Sequence, residues 1–200
     1  MTDGGSRRIA IVLFPGVEEL DAIGPWEVLA YWTRNFPEDG WSVGCVSRDG
    51  AAVECAKGLT VLPHHSRETM PPAEVVLHPG GRGTRPLMKD ADHLDWVREL
   101  SAKASLTTSV CTGALVLAEA GLLRGRAVTT HRTSLDLLAE LEPTAEVRRD
   151  SRFVDDGDLI TSAGISAGID MALHLVARLH SVERARQVRH GIQYDPEPPV

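Results

Sequence analysis

Apolar positions in this chain form two kinds of run. One kind is short and continuous: Ile9–Phe14 before Pro15-Gly16, Trp41–Ser47, Val75–His78 before a glycine-rich turn, and the β-rich Leu106–Val110 before Cys111. Such runs, bounded by turn formers, read as strands buried on both faces, and Ile9–Phe14 should be central in a parallel sheet. The other kind repeats every three or four residues. Ile23, Trp26, Leu29, Ala30 and Trp32 mark a helix to about Asn35, and Leu94, Trp96, Val97 and Leu100 mark one over Asp92–Ala104. Leu115, Leu117 and Ala118 mark a third that ends before Gly121. Further helices are predicted over Ser134–Glu140, within SAGISAGIDMALHLVARL, and over the more charged Val182–Tyr194. Hairpins are read at Val53–Ala56 with Leu59–Leu62, around Lys57-Gly58, and within Arg148–Thr161 at Asp156-Gly157. Ala127–Thr130 reads as one more strand, and His64-His65 as loop. Strands alternating with helices define an α/β fold: a mainly parallel central sheet with helices on both faces, flavodoxin-like in outline.

At 200 residues the chain suits one domain over 8–200, with a polar N-terminus, Met1–Arg7, left loose. A net charge of −7 argues against nucleic acid or an anionic membrane as the main partner and leaves a small or neutral molecule. Three cysteines and no apolar leader in MTDGGSRR indicate a reducing, cytoplasmic setting. No apolar stretch reaches membrane-spanning length, and His64 and His65 have no further ligand at metal spacing, so neither a metal nor a cofactor is expected.

The candidate chemistry centres on LTTSVCTGALVL, Leu106–Leu117. Cys111 falls where a strand turns into a helix, a nucleophile elbow, where free amides and the helix dipole favour a thiolate. The amide of Thr112 can stabilise an oxyanion there. A buried, inert cysteine is the alternative. Glu18, Glu19 and Asp21 follow the first strand at the sheet edge that carries chemistry in such folds. Glu18 and Glu19 read as helix N-terminal carboxylates. Asp21, enclosed by Leu20 and Ala22-Ile23-Gly24-Pro25, is expected to have a raised pKa suited to proton transfer. Gly80 and Gly81 can aim amides at developing charge as the second half of an oxyanion hole. Arg82 and Arg85 can hold an anion or simply line a solvated loop. His131, just past a strand end, can assist Cys111 or hold a loop by hydrogen bonds. Gly164 and Ile165, in the small-residue run ahead of a long helix, are placed with the substrate-binding residues. Cys45 reads as structural and Cys55 as peripheral.

With these features in place the chain resembles the ThiJ/PfpI superfamily, related in fold to class I glutamine amidotransferases. Within it the chain is most similar to the isonitrile hydratase branch, through FPGVEELDAIGPWEVL, HPGGRGT, TSVCTGALVLAEAGLLRGRAVTTH, ITSAGISAGIDMAL and the closing QYDPEPP. The resemblance implies Cys111 as nucleophile, Asp21 as its carboxylate partner, Thr112 as a supporting hydroxyl and amide, Gly81 as an oxyanion amide, and a homodimer. The ligand-sensing domains of AraC-type regulators share much of this wording and carry a helix-turn-helix domain beyond it. A chain ending at Val200 points to a stand-alone protein. Protease-like members follow the cysteine with histidine, where this chain has Thr112. Hydratase-like members often follow the histidine of TTH with tryptophan, where this chain has Arg132. The expected activity is a hydro-lyase converting an isonitrile into an N-substituted formamide. The rivals are a small-molecule or redox sensor and a glyoxalase-like or amidase-like enzyme.

Overall fold

The computed structural model describes residues 7–197, so all but Arg7 of the expected loose N-terminus lies outside the described residues. Arg7 itself is already paired, opening β1 (Arg7–Val12) against β2. The elements that follow are α1 (Glu19–Asn35), β2 (Trp41–Ser47), β3 (Val53–Glu54), β4 (Thr60–Val61), β5 (His65–Ser66), β6 (Val75–His78), α2 (Thr84–Leu87) and α3 (Ala91–Lys103). The second half contains β7 (Leu106–Val110), α4 (Gly113–Glu119), β8 (Ala127–Val128), α5 (Leu135–Leu141), β9 (Glu146–Val147), β10 (Phe153–Asp155), β11 (Leu159–Ser162), α6 (Ala167–Leu179) and α7 (Val182–Gly191). Seven strands form the central sheet in the order β10-β11-β7-β6-β1-β2-β5, parallel except for β10, which folds back antiparallel on β11.

The continuous apolar runs are the middle of this sheet. Ile9 to Val12 are wholly buried because β1 is flanked by β2 and β6 and covered by helices. Helices α1, α6 and α7 pack together over one apolar cluster, and α3, α4 and α5 over a second. The hairpin at Lys57-Gly58 is β3–β4, and the one at Asp156-Gly157 is β10–β11, each antiparallel.

Two sequence expectations change. His64 and His65 are not free loop, since His65-Ser66 pairs with Val46-Ser47 as the edge strand β5. Cys45 and His64 hold that register, the His64 N–H donating to the Cys45 carbonyl at 2.9 Å and the Cys45 N–H to His64 Nδ1 at 3.1 Å. The strand expected over Ala127–Thr130 stops at Val128 and lies outside the main sheet, paired with β9. Thr129 instead donates its N–H to the Thr161 hydroxyl, and the Thr130 hydroxyl donates to the Cys111 carbonyl.

Helix α4 can sit directly on the end of β6 because residue 113 is glycine. A Cβ there would lie 2.1 Å from the His78 carbonyl oxygen and 2.8 Å from that of Pro79. Gly113→Ala is therefore expected to cost about 1–3 kcal/mol, the range for overpacking a rigid contact. A melting temperature lowered by several degrees would register it, and an unchanged melt would show that the backbone yields freely at this point.

Candidate active site

The order of β1, β6 and β7 in the sheet brings three distant segments to one edge: the start of α1, the Pro79-Gly80-Gly81 turn and Cys111. Their strands end together at the carboxyl edge, where open α/β sheets form their crevice. Cys111 occupies the turn between β7 and α4 with φ at +56°, a left-handed conformation uncommon for a residue with a Cβ. Its N–H donates to the Ser162 and Ala163 carbonyls at 3.1 and 3.2 Å. Its carbonyl accepts from the Thr130 hydroxyl at 2.6 Å. The backbone is thereby held from three sides, and the residue is left 6 % exposed.

The amides of Thr112 and Ile165 face the Cys111 sulfur and favour its ionised form. Ile165 reaches it from a second left-handed position, φ +45°, which for a β-branched residue is strained. Two strained residues thus meet at one sulfur. Neither conformation is readable from residue type, because isoleucine is among the residues least suited to that region.

Asp21 projects from the first turn of α1 and is fully buried. Its Oδ2 accepts from the Gly80 N–H at 3.0 Å. Its Oδ1 is buried without a hydrogen-bond partner, and the carboxyl interacts with the Cys111 thiol. Burial raises the carboxyl to about 7, against the opposing effect of the Cys111 and Gly80 hydrogen bonds. This is the direction expected from its apolar enclosure.

Cys111 departs from expectation. Burial, reinforced by the charge of Asp21, pushes its thiol up to about 12 in place of the lowered value expected at a helix N-terminus. The helix is seven residues long and its dipole correspondingly weak, so desolvation wins. Above about pH 7 the pair therefore holds one proton, on sulfur, and below it a second proton occupies the carboxyl.

The glycine turn also works differently. Gly80 lies close against both partners, since a Cβ there would stand 2.5 Å from the Thr112 nitrogen and 2.9 Å from Asp21 Oδ2. Gly81, at φ +119°, donates its N–H to the Thr112 hydroxyl at 2.9 Å. The Thr84 hydroxyl lies 3.2 Å from the same oxygen. The expected oxyanion amide at Gly81 is thus occupied by Thr112, and the amides presented to Cys111 are those of Thr112 and Ile165. Thr112 acts in the structure as a clamp between the cysteine turn and the glycine turn.

The remaining candidates separate cleanly. Glu18 and Glu19 stand at the start of α1, and beyond that helix-terminal position they pair with Lys57 of the β3–β4 hairpin, Glu19 also accepting the Lys57 N–H, so both acids anchor the hairpin. His131 Nδ1 accepts from the Thr133 N–H at 3.3 Å, capping a 3-10 turn over Arg132–Ser134. Its ring lies over Gly164, where a Cβ would come within 2.2 Å of the imidazole. His131 thus makes the hydrogen bonds of a loop-holding residue. Thr130 and the buried pair His78 and His93, whose Nε2 atoms are 2.9 Å apart, had no signal in short-range spacing. His78 also bonds the Pro79 carbonyl at 2.8 Å and so steadies the glycine turn from behind. Among the described residues no group of three or more His, Cys, Asp or Glu side chains is arranged to hold a metal ion, and no helix is long and apolar enough to cross a membrane.

A parallel-sheet fold with a cysteine on a strained strand-to-helix turn and a buried carboxylate beside it defines a recognisable class. Residues 7–178 match the DJ-1/PfpI family, and the chain belongs to that family. Among its relatives is the isonitrile hydratase of Pseudomonas putida, 42% identical over 192 residues that cover 96% of this chain and 80% of that protein. The HTH-type transcriptional regulator CdhR of Pseudomonas aeruginosa is 32% identical over 92% of this chain, which spans 54% of the regulator. The crystal structure of a ThiJ/PfpI family protein from Pseudomonas syringae superposes with a TM-score of 0.88 at 33% identity, covering 98% of this chain and 78% of that one.

Proposed function

We propose that this protein hydrates an isonitrile to an N-substituted formamide, with Cys111 as nucleophile and Asp21 as proton carrier. The observation that carries the reading is the buried, interacting Asp21–Cys111 pair, a carboxyl raised to about 7 with one oxygen unpartnered and a thiol raised to about 12. Similarity to the Pseudomonas putida isonitrile hydratase supports the choice of substrate.

An isonitrile, R–N≡C, has a terminal carbon that accepts both a nucleophile and a proton. As the Cys111 sulfur bonds to that carbon, the thiol proton passes to Asp21 and from Asp21 to the same carbon, giving the thioimidate R–N=CH–S–Cys111. A thiol that ionises only as it attacks needs a base in contact, and the carboxylate of Asp21 serves as that base. The Thr112 and Ile165 amides stabilise charge on sulfur during attack and departure. Water then adds to the carbon and loses a proton by way of Asp21, and the nitrogen gains one. Collapse of R–NH–CH(OH)–S–Cys111 releases R–NH–CHO and restores the thiol. No cofactor enters this cycle. The acting form in this reading is a cytoplasmic homodimer handling a small electrophile.

The competent pair carries one proton, and below about pH 7 a second proton occupies Asp21. The value of kcat/KM for a simple isonitrile such as cyclohexyl isocyanide is therefore expected to rise with pH, about tenfold per unit below an apparent pKa near 7, and to level off above it. Chromatographic measurement of N-cyclohexylformamide across this range tests the reading, and absence of formamide at every pH would remove it. A non-catalytic small-molecule sensor is the second reading, favoured by the similarity to CdhR. It predicts saturable ligand binding without turnover.

A further inference from the structure

A cleft of about 530 Å³ is lined in part by Thr130 and Ile165, residues that touch Cys111, while Cys111 itself is not in the lining. Thr130 bonds the Cys111 carbonyl and the Ile165 amide faces its sulfur, with His131 packed over Gly164 between them. Arg132, Arg149, Arg152 and Asp150 also line the cleft. Carboxylates outside the lining neutralise two of these arginines, Arg149 through Asp136 and Arg152 through Asp170, which leaves Arg132 as the cation free to meet a ligand.

The three arginines differ in what already occupies them. Arg152 pairs with Asp170 and reaches the Ser166 hydroxyl, while Arg149 pairs with Asp136 at 2.7 Å. Arg132 has no carboxylate or hydrogen-bond partner for its guanidinium among the described residues, and it stands on the short turn capped by His131. A guanidinium matches a carboxylate with two parallel N–H donors, and one without a protein partner has both to offer.

We propose that the substrate of this site carries a carboxylate and that Arg132 binds it while the reactive carbon reaches Cys111. The identity of the reacting group rests on the isonitrile reading above, whereas the anion site rests on the cleft alone. Arg82 and Arg85, the anion candidates of the glycine turn, do not line this cleft.

The test is calorimetric titration of Cys111→Ala protein, which binds without turning over, with 4-isocyanobutanoate and with its methyl ester. The acid is expected to bind about tenfold or more tightly than the ester. That preference should shrink as salt rises from about 0.05 to about 0.5 M and fall toward parity in the Cys111→Ala, Arg132→Gln double variant. Equal affinities, tighter binding of the ester, or no binding of the acid would overturn the proposal, and a preference that survives Arg132→Gln would overturn the assignment of Arg132. The ratio of kcat/KM for the two compounds, measured on the wild-type chain and on Arg132→Gln, gives the same answer should the alanine variant fail to fold. Acid binding that depends on Arg132, in a protein that turns over neither compound, would leave the anion site standing and remove the hydratase reading.

Discussion

Cys111→Ala is expected to lower formamide production by about 10⁴-fold or more, leaving only what binding and orientation contribute. No other thiol can substitute. Cys45 is 4 % exposed on β2, next to the sheet's edge strand, with its thiol pushed up to about 12 by burial, and Cys55 is 2 % exposed in the hairpin clamped by Glu18 and Glu19. The substitution removes one small buried atom, so its structural cost should be about 1 kcal/mol and the melting curve should stay cooperative. Cys111→Ser sharpens the comparison. It keeps the shape and the hydrogen bonds of the turn but presents a hydroxyl, a far weaker nucleophile next to a carboxylate, and it should be nearly as inactive as alanine. Initial rates of formamide release by both variants, read beside their thermal melts, check this. Substantial activity in the serine variant would mean that position 111 acts by shape and not by attack.

Asp21→Asn is expected to lose about 10³-fold in turnover while gaining stability, a combination that a purely structural aspartate would not give. The loss follows because an amide neither takes the thiol proton nor returns it to carbon. The gain follows from linkage. The native carboxyl titrates near 7 and the unfolded one near 3.8, so the native state binds more protons between those values. Stability from this group is therefore fully present below about pH 4, falls as pH rises, and above about 7 reaches a constant deficit of ~4 kcal/mol. Asparagine removes the buried charge and keeps an acceptor for the Gly80 N–H. Its NH₂ then faces sulfur, a weak acceptor, so roughly half of the deficit should be recovered, about 2 kcal/mol or about 4–8 °C in melting temperature at pH 8. Near pH 4 the gain should vanish. Melts at the two pH values distinguish this from a general packing effect, and a lower melting temperature at both would contradict the raised carboxyl.

How much of this could be read from the chain depended on range. The runs at Ile9, Trp41, Val75 and Leu106 became β1, β2, β6 and β7 because a central parallel strand must be apolar on both faces. The association of Asp21, Gly80 and Cys111 was readable because each follows one of those strands, and strand ends in such a sheet converge on one edge. What depended on competition between neighbours was not readable. The Gly81 amide is taken by the Thr112 hydroxyl, and no spacing rule states which of two nearby acceptors a donor chooses. The dipole argument for a Cys111 thiolate was outweighed by burial, which is a property of the packed chain. The left-handed backbone of Ile165 ran against its residue type, and the two-residue strand β5 was too short to carry a pattern. The arginine wall of the cleft draws on Arg132, Arg149 and Arg152, whose meeting follows from the placement of β10 and the 3-10 turn, not from any local cluster.

If Cys111 is the nucleophile, carbon bonds to its sulfur during turnover. That bond is tested for most directly by mixing the wild-type protein with cyclohexyl isocyanide, quenching in cold acid within the first turnover, and measuring intact-protein and peptide masses. The expected result is an adduct of one isonitrile on Cys111 that forms and decays at the rate of formamide release, and that is absent from Cys111→Ala. Formamide released at the full rate with Cys111 unmodified throughout would contradict attack by Cys111.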